Sequence, residues 1–154
     1  MLTTLQAATL EHFGSEKEQH AQARRIAGKM FDRAYGQAQR RRLFAKLTGK
    51  PHDLPGLPCQ PKAGRRTMVT VVVPLSKIVG TEGRSEDFDA DFNPLKQNIR
   101  DRWISVAAAR RTGVILPAVE LLQVGDEYYV RDGHHRISVA KLMGQLEIDA
   151  RIVN

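Results

Sequence analysis

The sequence predicts a small α/β domain, built as a mixed sheet with flanking helices, that carries an α-helical extension at its N-terminus. Three observations predict it. Apolar residues recur at helical spacing through the first fifty residues, the period shifts to short β-type runs from Thr67, and those runs alternate with two further helical patterns before a last strand. At 154 residues the chain is long enough for one compact domain with a hydrophobic core and too short for two large ones. The expected division is a basic helical extension at 1–50, a Pro/Gly-rich linker at 51–66 and the domain proper at 67–154.

The N-terminal helix is expected over residues 15–48. Ser15 and Glu18 stand at capping-box spacing, and Gly49 and Pro51 supply the stop. Ala23, Ile26, Ala27, Met30, Phe31 and Ala34 form an apolar stripe between them, while Gly28 and Gly36 predict either a break or a close helix contact. Four prolines and two glycines in 51–66 read as linker. "TMVTVVVPL" reads as a buried strand ending at Pro74, and "SKIVGTEGRSEDFDADFN" as a long, flexible acidic loop. Asn93 and Pro94 then look like the cap and first residue of a helix whose face is Leu95, Ile99, Trp103 and Val106, stopped at Thr112 and Gly113. Trp103 belongs to the core on this spacing. "LPAVELLQVGDEYYVRDG" reads as a hairpin about Gly125 and Asp126, with Tyr128 and Tyr129 on opposite faces. "HHRISVAKLMG" is a short helix ended by Gly144, and Ile148, Ala150 and Ile152 alternate in a final strand.

Composition narrows the function classes. A single cysteine, Cys59, excludes an intramolecular disulfide and any paired-cysteine metal or redox site within the chain, and fits a reducing, cytoplasmic setting. No apolar run approaches the ~20 residues of a membrane span, and the N-terminus lacks the pattern of a signal peptide. No membrane partner is expected. The net charge of +7 is uneven: residues 1–66 hold 13 Lys or Arg against 5 Asp or Glu, while residues 67–154 hold 11 against 12. The basic helix 15–48 therefore fits either a solvated surface or an anionic partner such as DNA, and its apolar stripe fits packing on the domain or a homodimer interface.

The chemistry concentrates in "YYVRDGHHRISVAKLMG". A strand that ends at Asp132 and Gly133 and passes straight into a helix leaves unpaired backbone N–H groups where the helix dipole favours an anion. Gly133 permits close approach of a ligand, Arg136 offers a planar fork for phosphate oxygens, and His134 and His135 add donors that titrate near neutrality. The same residues also read as a plain capped turn, with Asp132 as the cap, the histidines on an exposed first turn and Arg136 paired to an acid.

Strand, "DGHHR" turn, short helix, Gly144 and final strand resemble the ParB/sulfiredoxin superfamily over residues 67–154. The resemblance implies a small α/β fold that holds nucleotide phosphates at this turn. Sulfiredoxins carry a catalytic cysteine in a Gly-Gly-Cys-His-Arg motif; His134 stands at the matching position here, so sulfiredoxin activity is not expected. Partition ParB proteins bind CTP, place Gly-Glu-Arg-Arg at the turn and continue into DNA-binding and dimerisation domains, neither of which is expected in the residues up to Asn154. The "DGHHR" turn is most similar to that of free-serine kinases, in which an acidic residue from the N-terminal part of the fold activates the substrate hydroxyl. That implies an ATP- or ADP-dependent phosphotransferase or a nucleotide hydrolase, with Mg as cofactor and ATP, ADP or CTP as ligand. The alternative is a non-enzymatic, nucleotide-gated module that binds DNA or protein, and a nuclease ranks last.

On that implied chemistry the candidate catalytic residues are Glu82, as general base, and Asp132, which also serves as the Mg ligand. Arg84, Arg102, Ser105, Gly133, His134, His135 and Arg136 are the candidate phosphate contacts. Glu86, Asp87 and Asp89 compete with Glu82 for the role of base.

Overall fold

The structure is a computed structural model that describes residues 4–58 and 69–153, with side chains from Ser15 onward. Cys59, residues 60–66 of the expected linker and the opening of the first strand at Thr67 and Met68 lie outside the described residues. Eight elements organise the chain: α1 (Thr4–Thr48), β1 (Val71–Pro74), β2 (Ile78–Thr81), α2 (Arg100–Arg111), β3 (Val119–Val124), β4 (Glu127–Asp132), α3 (His134–Leu142) and β5 (Glu147–Ile152). The five strands form one mixed sheet in the order β1-β5-β3-β4-β2. β3 pairs antiparallel with β4 and parallel with β5, β1 is antiparallel to β5, and β2 is parallel to β4. The expected class, an α/β domain with a mixed sheet and an N-terminal helical segment, is the one observed.

One face of the sheet carries the main core. Val119, Leu121, Val130 and Ala150 from the strands meet Trp103, Ala107 and Ala108 of α2 and Ile137, Val139 and Ala140 of α3. Trp103 is fully buried and its indole N–H donates to Ser138 Oγ at 2.8 Å, which satisfies the one polar atom of a side chain otherwise there for its apolar area. α1 lies outside α2 and enters the same core through Ala23, Ala27 and Phe31, with Phe31 edge-on to Trp103 at 5.6 Å between ring centroids. The apolar stripe of α1 is thus covered within the single chain. Gly28 supplies the close contact rather than a break: a Cβ there would stand 3.4 Å from Arg100 Nη2. Arg100 also bonds Asp32 at 3.2 and 3.3 Å, so the helix pair is held by packing first and by an exposed ion pair second. The opposite face of the sheet has a smaller cluster of Leu122, Tyr129 and Val153, with Tyr128 on the main-core side as the alternation requires.

Four local expectations are corrected. α1 does not start at a Ser15 cap; it runs from Thr4, and Ser15 Oγ accepts from Gln19 Nε2 one turn on, inside the helix. The run ending at Pro74 is an edge strand, with Val71 and Val72 exposed and Val73 buried, because only β5 flanks it among the described residues. The expected long loop contains β2. Its outer edge is taken by the start of the expected linker, where Thr81 N–H donates to the Pro55 carbonyl and Leu57 N–H to the Thr81 carbonyl, both at 2.9 Å. Gly80 makes that approach possible, since a Cβ would fall 2.5 Å from the Pro55 oxygen and 2.6 Å from the Tyr129 ring. Finally, Asn93 and Pro94 do not open α2. Asn93 donates its amide to both carboxylate oxygens of Asp89, at 3.2 and 3.1 Å, Pro94 bridges to Phe88, and α2 begins at Arg100 after a 3-10 turn. Among the described residues no helix is long and apolar enough to cross a membrane.

Two phenylalanines of α1 test this packing. Phe31 is fully buried and Phe44 is 65% exposed. Phe31→Ala should cost ~3–5 kcal/mol in urea unfolding, whereas Phe44→Ala should change stability by no more than ~0.5 kcal/mol. Equal losses would mean that α1 does not lie on α2 as described.

Candidate phosphate-binding cleft

β4 ends at Asp132 and α3 begins at His134, with only Gly133 between them. Gly133 has φ 102°, and a Cβ there would lie 2.5 Å from Val119 Cγ1, so both the backbone twist and the contact with β3 require glycine. No side chain caps the helix, which leaves the first N–H groups of α3 without a protein acceptor from a cap.

Arg136 braces the turn. Its Nη1 donates to the carbonyls of Pro117 and Ala118 at 2.7 and 3.0 Å, and its Nη2 to Asp132 Oδ2 at 2.5 Å. The guanidinium fork is therefore spent on protein acceptors, and Arg136 shapes the site before it touches any ligand. Asp132 pairs with Arg136 and is not a free carboxylate.

Both histidines depart from the exposed first turn that the spacing suggests. His134 and His135 are 4% and 8% exposed, because the segment after β2 folds over them: Phe88 stacks on His134 at 6.0 Å and meets His135 edge-on at 5.6 Å. Thr81 Oγ1 accepts the N–H groups of Gly83 and Arg84, each at 3.1 Å, which occupies its two lone pairs. Its hydroxyl proton has two acceptors in reach, His134 Nε2 at 2.7 Å and the Val130 carbonyl at 3.4 Å, and the shorter contact to His134 ties that ring to the Thr81 hydroxyl. Burial lowers both histidines to a pKa of about 4, assisted by the charge of Arg84 at His134 and of Arg102 and Arg84 at His135. Both rings are therefore neutral at pH 7 in the unliganded protein. His135 Nδ1 is buried and has no hydrogen-bond partner.

A cleft of about 430 Å³ opens at this end of the sheet. The candidate residues Arg84, Arg102, Asp132, Gly133, His134, His135 and Arg136 all line it. Glu82 and Ser105 are not brought there. Glu82 turns to Arg131, with bonds of 2.8 and 3.1 Å, and that guanidinium holds its carboxyl below the ordinary glutamate value, which makes it a weak base. Ser105 Oγ accepts from Arg24 of α1 and donates to the Asp101 carbonyl. The other acids after β2 are also engaged: Asp87 and Glu86 pair with Lys96 at 3.0 and 3.3 Å, and Asp89 is buried against Asn93. With Phe88, Phe92, Asp89 and Asn93 all buried, residues 88–93 form a folded plug and not a flexible flap.

Two lining residues escape the sequence reasoning, Glu120 and Arg151, which face each other across β3 and β5. Strand alternation puts Arg151 out of phase with Ile148, Ala150 and Ile152, a signal that it points away from them, but nothing local says that the cleft is at its end. Arg102 and Arg151 have no ion-pair partner among the described residues, and Arg84 has only Asp87, at 3.6 Å. Four arginines thus line the cleft against two carboxylates, with Arg136 paired to Asp132 inside it and Arg84 to Asp87.

No family model matches the chain, and no curated protein matches it. Among solved structures it is similar to sulfiredoxin from Arabidopsis thaliana, with 24% identity over 55% of this chain and 83% of that one at a TM-score of 0.38. At that score the likeness carries no argument about the site.

The titration of the histidines is testable. The folded pKa of about 4 lies below the free value of 6.5, so between these pH values the unfolded chain binds protons that the folded chain does not. Their contribution to stability is fully present above about 6.5 and is lost as pH falls through 4. The urea midpoint should decline over that interval, and NMR titration of the two imidazoles should give midpoints near 4. Midpoints near the free value would place both rings in solvent.

Proposed function

We propose that the cleft binds the phosphates of a nucleotide, ATP, ADP or CTP, with Arg84, Arg102 and Arg151 as charged contacts and the first N–H groups of α3 as backbone donors. The observation that carries the reading is the convergence on an uncapped helix start of Arg102 and Arg151, which have no ion-pair partner among the described residues, and of Arg84, which has only a 3.6 Å pair with Asp87. Oriented N–H groups and guanidinium forks are the two protein groups best matched to phosphate oxygens, and here they face one cavity. The resemblance of the Asp132–Arg136 turn to nucleotide-binding turns supports the same ligand class.

No group of three metal-ligating side chains exists among the described residues, so a cage made by protein alone does not fit. Mg bound through nucleotide phosphates and one carboxylate does fit, with Asp132, whose Oδ1 is not taken by Arg136, as the residue that would hold it. When bound it would offset phosphate charge.

A second reading, phosphoryl transfer or nucleotide hydrolysis, is favoured by one observation: Glu120 brings a carboxylate into the cleft, whereas Glu82 stands outside it. In that reading Glu120 accepts the proton of the attacking hydroxyl or water. The nucleotide-gated binding module is the outcome if no turnover exists.

Calorimetry against the three nucleotides with Mg tests the first reading. Arg102→Ala and Arg151→Ala should each weaken binding by about tenfold or more, as expected for the loss of a charge-assisted bond, and leave the urea midpoint unchanged. Arg136→Ala should lower both affinity and stability, because it frees the Pro117 and Ala118 carbonyls. No binding at millimolar nucleotide would end the proposal. If turnover is found, Glu120→Gln should suppress it and Glu82→Gln should not; the reverse pattern returns the base to Glu82.

A further inference from the structure

The outer side of α1 has no role in the fold or the cleft, yet it is strongly patterned. Ala23, Ala27, Ala34 and Ala38 face the body of the protein and are buried. On the opposite side Arg25, Lys29, Arg33 and Arg40 recur at spacings of four, four and seven residues, so they share one exposed or outward face. None of the four has an ion-pair partner among the described residues. Toward the end of the helix the same face turns apolar: Leu43, Phe44 and Leu47 are 63%, 65% and 79% exposed. Three large apolar side chains contiguous on one helix face form a patch of the kind that marks an interaction site, not the scattered exposure ordinary for surfaces. Beside Phe44 lies an open groove of about 550 Å³, lined by Ala45 and Thr48 and by Arg40, Lys50, His52 and the Arg41–Asp91 pair.

We infer that this face docks an acidic amphipathic helix of a partner protein, with large apolar side chains seated on Leu43, Phe44 and Leu47 and carboxylates set against the arginine and lysine row. Charge selects the occupant. Every ionisable side chain from Arg40 to Lys50 is cationic, and of the five only Arg41 is neutralised, by Asp91. Residues 59–68 of the chain carry Lys62, Arg65 and Arg66 and no acid, so their charge does not complement this face. A nucleic-acid backbone would match the cations and leave the three apolar side chains without a use. A lipid surface would match both, but interfacial binding scales with buried apolar area, and three side chains on little more than one turn offer a small one. The groove beside Phe44 is concave, which suits an inserted side chain.

Fluorescence anisotropy on the full chain tests the proposal with a labelled synthetic helix bearing Leu and Phe on one face and Glu elsewhere. Saturable binding is expected, weaker by about tenfold or more when Ser replaces the Leu and Phe of the peptide, and again when Lys replaces its Glu. The triple variant Leu43→Ser, Phe44→Ser, Leu47→Ser should lose affinity for the acidic peptide by a similar factor while its circular dichroism is unchanged. Equal binding of the Ser peptide, or an unaffected triple variant, would reduce the face to a solvated cationic surface and overturn the proposal. Competition by duplex DNA or by phosphatidylserine vesicles that abolishes peptide binding, or sedimentation showing that the face joins two copies of this chain, would equally assign it to another occupant.

Discussion

Gly133 is the constraint on which the candidate cleft depends. A strand and a helix joined by one residue need a left-handed backbone at that residue, and the contact with Val119 leaves no space for a side chain. From this follow the burial of His134 and His135 directly after it and the reach of Arg136 back to the Pro117 and Ala118 carbonyls and to Asp132. The absence of a side-chain cap follows too. The helix start that would otherwise be closed by its own N-cap is left open to a ligand.

The segment after β2 gives the site its second wall. Thr81 gathers Gly83, Arg84 and His134 around a single hydroxyl, and Phe88 lies against both histidine rings. Arg84 is held near the cleft by this local network, while the histidines are kept neutral and structural. The positive potential of the cleft then comes from arginines, whose charge does not titrate near neutrality. Phosphate affinity on this account is insensitive to histidine protonation in the physiological range, which separates the stability of the site from its electrostatics.

Much of the fold was legible because its signals are local. The hairpin is announced by Gly125 and Asp126 between two alternating runs, and α3 by its spacing and by Gly144. Trp103 is announced as core by its place in a helical stripe. What was missed depends on distant partners. β2 has only Ile78 and Val79 as apolar residues before Gly80, and it becomes a strand through pairing with β4 and cover from Pro55 and Leu57. Asn93 looks like a helix cap until Asp89 claims its amide. The "DGHHR" turn lies in the cleft, but its spacing suggests exposed histidines, whereas Phe88, forty-six and forty-seven residues earlier in sequence, covers both rings. Arg151 and Glu120 enter the cleft through sheet register, which one strand cannot reveal alone.

The most direct measurement is an amide and arginine-side-chain NMR map of the labelled protein during titration with Mg and ATP. The account predicts that shifts concentrate on the backbone N–H groups from Gly133 to Ile137 and on the Nε–H groups of Arg102 and Arg151, and that the signals of α1 stay in place. Shifts confined to the basic face of α1, or none in the cleft at millimolar nucleotide, would contradict it.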